Sequence, residues 1–458
     1  MSMRLELSSK LCIYKPTNAV RDWAQENLRV LNPDYANRVR MGRYLGRTPK
    51  YLSLYTERPE GICIPYGAWK DANFTRLLKG RLIRDKFAPH EKVDYNADIP
   101  LRGYQEDAVN ALVARGCGIL QSKAGSGKTR CGVAAVCRLG AKSLWLTHTQ
   151  ELLEQSYNAA AEFVDKSLLG KITKGKVHIG AGITFATVQT MCKLDLSEYR
   201  DEWECVVVDE CHRVAGTPTR VTMFSKILNS LSAKHKYGLS ATLHRSDGLI
   251  KCALYMLGGV AHTVPDSVVN VMSAQILKRR TSVRAIPWEA LDSDGIINYA
   301  RLINAIATNR ERNLMIARDI TDNIHHSNML LSDRKVQLSE IYDLLPAAIQ
   351  NKTAVMHAEV KHKDRQEILR KAREGEISCV LATYSLAKEG LDIPRLDRLY
   401  LGTPVKDYAI VAQAVGRITR TCEGKGQPVV YDYVDDVSYF EKMFRQRARH
   451  YRKSGCKL

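Results

Sequence analysis

Short, nearly unbroken apolar runs recur along the middle of the chain, and helix-like spacing separates them. Between about residues 93 and 265 they are CGIL, SLWLT, ITFAT, ECVVVD and YGLSA. Runs of this length suit strands of a parallel sheet covered on both faces, because neither face needs alternating polar positions. The strand-then-helix series predicts a doubly wound α/β lobe. A stretch from about 266 to 312, with a basic KRRTSVR and an acidic EALDSDG, reads as a crossing segment. A second alternation follows in NMLLS, TAVMHA, SCVLAT, RLYLG and PVVYDY, so two similar α/β lobes in tandem are expected, the second reaching about residue 440.

The flanks differ from this pattern. Residues 1–92 hold 18 Lys/Arg against 9 Asp/Glu, with Trp23, Tyr35, Tyr44, Tyr51, Tyr55 and Tyr66 interleaved. The run NPDYANRVRMGRYLGRTPKYLSLY predicts a helix, a Gly/Pro-punctuated turn and a strand with period-two alternation, hence a small basic α+β domain. Two readings stay open: a DNA-binding domain, or a cap whose aromatics form its own core. The final 441–458 predict a short basic helix and tail.

Composition narrows the class. With 45% hydrophobic and 26% charged residues, the chain is an ordinary globular one and not a disordered one. A length of 458 residues suggests about three domains, and a net charge of +20 suggests a polyanionic partner. Twelve scattered cysteines, with no CxxC and no zinc spacing, suggest reduced thiols in a cytosol-like compartment. No run approaches a membrane span and the start lacks a signal-peptide core, so a soluble cytoplasmic protein is expected.

The chemistry lies at strand ends. QSKAGSGKT, Gln121–Thr129, follows a predicted strand and opens a helix, as a phosphate-binding loop requires. In it Ser122, Lys123, Ala124, Gly125, Ser126 and Gly127 would wrap phosphates with backbone N–H groups. Lys128 supplies a point charge and Thr129 a hydroxyl for Mg²⁺. Ser122 stands where a first glycine is usual, at a strand end where a small residue suffices. CVVVDECH, about 80 residues on, presents Asp209 to a Mg²⁺ shell and Glu210 as general base for the attacking water. ATP hydrolysis with Mg²⁺ is therefore the expected chemistry.

From about 100 to 435 the order of motifs resembles the superfamily 2 helicases, which implies two tandem RecA-like P-loop lobes and a motor on nucleic acid. LRGYQEDAV resembles their Q motif, with Gln105 reading the adenine edge and Arg102 nearby; DECH is motif II, and Ser240–Thr242 resembles motif III. ATYSLAKEGLDIP resembles motif V, which implies nucleotide contacts from Gly390 and Asp392. QAVGRITR resembles motif VI, which implies roles for Gln413 and for Arg417 and Arg420 as arginine fingers on the ATP held by the first lobe. LTHTQELLEQ, FATVQTM and LLSDR resemble motifs Ia, Ib and IV. With motif V they imply phosphate contacts from Thr147, Gln150, Thr187, Gln189, Ser332, Arg334 and Thr383, which fix register without reading bases. The SATLHRSDG run and the N-terminal segment look most like phage branch-migration helicases and XPB-like DNA translocases. That implies a monomer whose partner is branched DNA, in recombination and replication. An RNA helicase and an ATP-gated clamp that does not unwind are the rival readings.

Overall fold

Strand Cys117–Gln121 starts an eight-stranded sheet in the first half of the chain. Across the sheet the strands run Lys176–His178, Leu169–Thr173, Ile183–Thr187, Ser143–Thr147, Cys205–Asp209, His235–Ser240, Cys117–Gln121 and Val260–Thr263. Only the first pair is antiparallel. The central strands are buried throughout, as their continuous apolar runs require. The computed structural model describes all residues except 1–2, 124, 174, 218–220, 244, 246, 270–271, 389–392 and 406–407.

Contacts divide the chain into two units, Met1–Val269 and Asn270–Leu458. The second unit holds a six-stranded, all-parallel sheet ordered Gln275–Arg280, Val429–Val434, Arg398–Leu401, Asn328–Ser332, Cys379–Thr383, Thr353–Met356. Strand Gln275–Arg280 occupies part of what the sequence presents as a crossing segment. The C-terminal segment forms a basic helix, as its sequence suggests. Helix Ser438–Lys453 packs into the second unit, where buried Arg447 donates from Nε and Nη2 to Asp432 at 2.8 and 2.7 Å. Tyr451 adds a third hydrogen bond to the same carboxylate at 2.8 Å. A guanidinium satisfied in this way can be buried, so this basic helix is part of the second unit's core.

Residues before 93 form their own five-stranded sheet, ordered Thr56–Arg58, Gly61–Pro65, Lys10–Tyr14, Arg4–Leu7, Ile83–Asp85. Their apolar cluster is continuous with Cys117, Ala215, Leu249 and Cys252 of the first lobe. Polar contacts reinforce that junction. Tyr66 donates to the Lys234 carbonyl at 2.5 Å, and fully buried Lys236 donates to the carbonyls of Leu228 at 2.8 Å and Ser9 at 3.3 Å. Burial pulls the Lys236 ammonium down to about 7. Cys12 and Cys63, directly opposite on neighbouring strands, are joined as a disulfide, which corrects the expectation of uniformly reduced thiols. Among the described residues no helix is long and apolar enough to cross a membrane.

Candidate nucleotide site

Three neighbouring parallel strands end side by side at Gln121, Ser240 and Asp209. The carboxyl ends of such strands are where ligands bind in open α/β sheets. From Gln121 the chain turns into helix Lys128–Leu139, whose unsatisfied N-terminal amides suit an anion. Gly127, at φ +82°, is the turning point; a Cβ there would lie 2.4 Å from Gln105 Nε2. The Ser122 amide donates to the Ser240 carbonyl at 3.1 Å, fixing the loop's root to the central strand. Ser122 and Ser126 have buried hydroxyls without a partner among the described residues. Lys128 Nζ donates to the Lys123 carbonyl at 3.3 Å, so it lies along the loop it serves. Thr129 is half-buried in the first turn.

Gln105 is buried behind the loop. Its Nε2 donates to the Ser126 carbonyl at 2.8 Å and its Oε1 accepts from the Arg102 amide at 2.9 Å. Tyr104 also donates to the Ser126 carbonyl, at 3.2 Å, and Arg102 donates to the Tyr104 hydroxyl. In this arrangement Gln105 braces the phosphate loop, a role that motif resemblance alone does not suggest.

Asp209 is only 7% exposed; it accepts from the Glu210 amide at 2.9 Å and from Ser156 Oγ at 3.3 Å. Burial pushes its carboxyl up to about 6; the Glu210 charge adds to the rise and Lys128 opposes it. Glu210 goes the other way. Burial pushes it up too, but the hydrogen bond to His212 and the charges of Lys128, His212 and Arg213 outweigh that and hold it below its ordinary value. Glu210 also sits at φ +49°, a conformation that costs a side-chain-bearing residue about 1–3 kcal/mol and is concentrated at functional sites. His212 Nδ1 lies 3.1 Å from both Glu210 Oε2 and Ser240 Oγ, which ties the acidic pair to the Ser-Ala-Thr segment. A buried carboxylate whose charge the fold opposes, next to a second that its neighbours keep ionised, is a donor set that fits a divalent cation, with the Thr129 hydroxyl in the first turn after the phosphate loop.

The second unit carries the motif VI residues on helix Tyr408–Ile418. Val411, Ala414, Val415 and Ile418 bury one face at helical spacing, which leaves Gln413 and Arg417 half-buried on the helix and Arg420 half-buried just beyond it. Lys425 Nζ donates to the Arg420 carbonyl at 2.8 Å. Ala124, Gly390 and Asp392 lie outside the described residues.

The expected phosphate-contacting side chains behave differently from one another. Thr147 and Ser332 are fully buried, with hydroxyls spent on the carbonyls of Thr149 and Arg334 and, for Ser332, on Gln337. Thr149, which no motif singles out, caps helix Gln150–Ala161 by accepting from the Leu152 amide. Thr187 caps Val188–Met191, and Gln189 donates to the His148 carbonyl at 2.7 Å. Gln150 donates to Glu154, Thr383 is within 3.0 Å of Ser385 Oγ, and Arg334 donates to Asn304 and to the Ala300 carbonyl. What these segments present outward is mainly helix N-termini.

Two family profiles match the chain: "Type III restriction enzyme, res subunit" over residues 98–245 and "Helicase conserved C-terminal domain" over 311–422, together more than half of its length. The chain belongs to the superfamily 2 helicases. Among relatives of this helicase, a putative ATP-dependent RNA helicase of Acanthamoeba polyphaga mimivirus is 26% identical over 88% of this chain and 78% of its own. A putative DNA 3'-5' helicase Rad25 of Halobacterium salinarum is 24% identical over 85% of this chain and 65% of its own. S. cerevisiae Dbp5 bound to RNA and ADP BeF3 aligns at TM-score 0.53 and 17% identity, covering 78% of this helicase and 88% of that chain. The structure of T4 UvsW covers 100% and 98% at TM-score 0.44 and 17% identity.

Proposed function

We propose that this helicase is a DNA-stimulated ATPase that translocates on branched DNA and drives branch migration of forks and four-way junctions. The observation that carries its motor chemistry is the convergence of Lys128, Asp209, Glu210, His212 and Ser240 on three adjacent strand ends. Lys128 and the loop amides hold the β and γ phosphates; Asp209 and Thr129 hold Mg²⁺, which when bound offsets charge on the phosphate oxygens. Glu210, kept ionised by its neighbours, accepts the proton of the attacking water. Arg417 and Arg420 supply positive charge to the γ-phosphoryl oxygens, so turnover depends on both units. Gln105 holds the phosphate loop in its nucleotide-binding shape through its bonds to Ser126 and Arg102.

DNA as the polyanion is supported by the SATLHRSDG run, by the basic first 92 residues and by a relative named as a DNA helicase. Contacts to phosphates predict little base preference and steep salt dependence. ATPase and strand-exchange rates on single-stranded, duplex, forked and four-way DNA, beside matching RNA, test the reading. Wild-type stimulation is expected by branched DNA above all, with turnover lost in Glu210→Gln while ATP binding persists. Stimulation by RNA alone would make this an RNA helicase, as one relative is named. Turnover without strand movement would make it a clamp.

A further inference from the structure

The aromatics of the N-terminal segment range from core to surface, with Tyr35 half-buried and Tyr51 49% exposed. Trp23, Tyr55 and Tyr66 are core residues, whereas Tyr44 is 88% exposed. Tyr44 follows helix Pro33–Arg40, eight residues long, in which no side chain is buried. So short a helix does not persist without support, and packing does not supply it. Backbone-directed hydrogen bonds do. Asn32 caps the helix through the Asp34 amide at 3.0 Å and donates to the Pro49 carbonyl at 2.9 Å. Past the helix, the Arg43 amide donates to the Arg38 carbonyl, and Arg38 Nη1 donates to the carbonyl of Tyr44 itself, both at 2.9 Å. Strands Arg29–Leu31 and Tyr51–Ser53 close the base of the protrusion. A ring is thus held outward on a pinned backbone.

Its surroundings are cationic. Arg38, Arg40, Arg43, Arg47 and Lys50 are exposed and face one acid, Asp34, within residues 32–51. Val39 and Met41 are exposed beside them. An apolar protein partner would meet this charge at a cost, whereas a nucleic acid supplies both phosphates for the guanidinium groups and π-faces for the ring.

We propose that Tyr44 is a base-stacking element that covers the first unpaired base at a DNA junction, with Arg43 and Arg47 on the flanking phosphates. The inference rests on the DNA reading above. One ring on a fixed backbone can cover a single base face; it cannot line a continuous strand, so its place is where stacking is interrupted.

The test uses the full chain and forked DNA with 2-aminopurine at the junction, beside blunt duplex. Tyr44→Ala removes only exposed atoms and leaves the fold intact. It is expected to abolish the change in 2-aminopurine fluorescence on binding and to weaken fork binding about tenfold, with blunt-duplex binding unchanged. Tyr44→Trp should retain both signals. Arg43→Ala and Arg47→Ala should weaken fork and duplex alike and flatten the salt dependence. Wild-type fork affinity in Tyr44→Ala, or an equal loss on fork and duplex, overturns the assignment while leaving the motor reading intact. Absence of DNA-stimulated ATPase in the unaltered chain sinks the motor reading first.

Discussion

Asp209→Asn should make the metal-free protein more stable while destroying its activity. The carboxyl is buried and pushed from an ordinary 3.8 to about 6. At neutral pH the group is ionised, but the fold opposes that charge more than the unfolded chain does. A hold on the proton tightened about a hundredfold corresponds to roughly 3 kcal/mol, an upper figure for what removal of the charge returns. Asparagine keeps the geometry: its Oδ1 can accept from the Glu210 amide, and its Nδ2 can donate to Ser156 Oγ. For a unit of this size the gain is about 6–12 °C in melting temperature. The assay is thermal unfolding in EDTA from pH 8 to pH 4. Because the folded pKa is raised, the wild-type penalty is full above about 6, shrinks as pH falls through that value and is gone below 3.8. The variant's advantage should follow the same course. Adding Mg²⁺ to the nucleotide-bound protein should raise the wild-type melting point further and the variant's less. A variant that melts at or below wild type at pH 8, or an advantage independent of pH, would refute the reasoning.

Arg420→Ala should bind ATP normally and lose about 10³-fold or more in turnover; weaker binding of a fluorescent ATP analogue with normal hydrolysis would argue against the finger role. Gly127→Ala places a Cβ against Gln105 at positive φ, so a loss of about 1–2 kcal/mol in stability and a raised KM for ATP are expected, measured by melting and steady-state kinetics. Arg447→Ala leaves buried Asp432 without its guanidinium and should cost about 3–5 kcal/mol in urea unfolding of the full chain, with a smaller loss when Asp432→Asn is added.

The central strands are legible because burial on both faces writes itself as unbroken apolar runs. Edge strands are written differently. Lys176–His178, Val260–Thr263 and Gln275–Arg280 lie at sheet margins, and the charges of QILKRR make an edge strand look like a linker. The burial of Arg447 is illegible for a related reason: its partner Asp432 is on another element, and sequence spacing does not show which charge will be neutralised. The catalytic strand ends can be read because their chemistry is local, a loop or a DECH run. The brace from Gln105 to Ser126 and the His212–Ser240 contact join residues distant in sequence, and the Cys12–Cys63 pairing depends on strand register. Motif position likewise does not reveal that the Thr147 hydroxyl turns inward while Thr149 caps the following helix.

Strand His235–Ser240 has a consequence for how mechanical work could flow. Near its start, Lys236 is gripped by the Ser9 carbonyl of the N-terminal sheet; at its end, Ser240 touches His212 of the hydrolytic pair. The two grips are roughly 13 Å apart along a single fully hydrogen-bonded rod. Traction applied to the N-terminal sheet is thus delivered lengthwise, without a hinge to absorb it, to the very spot where a phosphate bond would be broken.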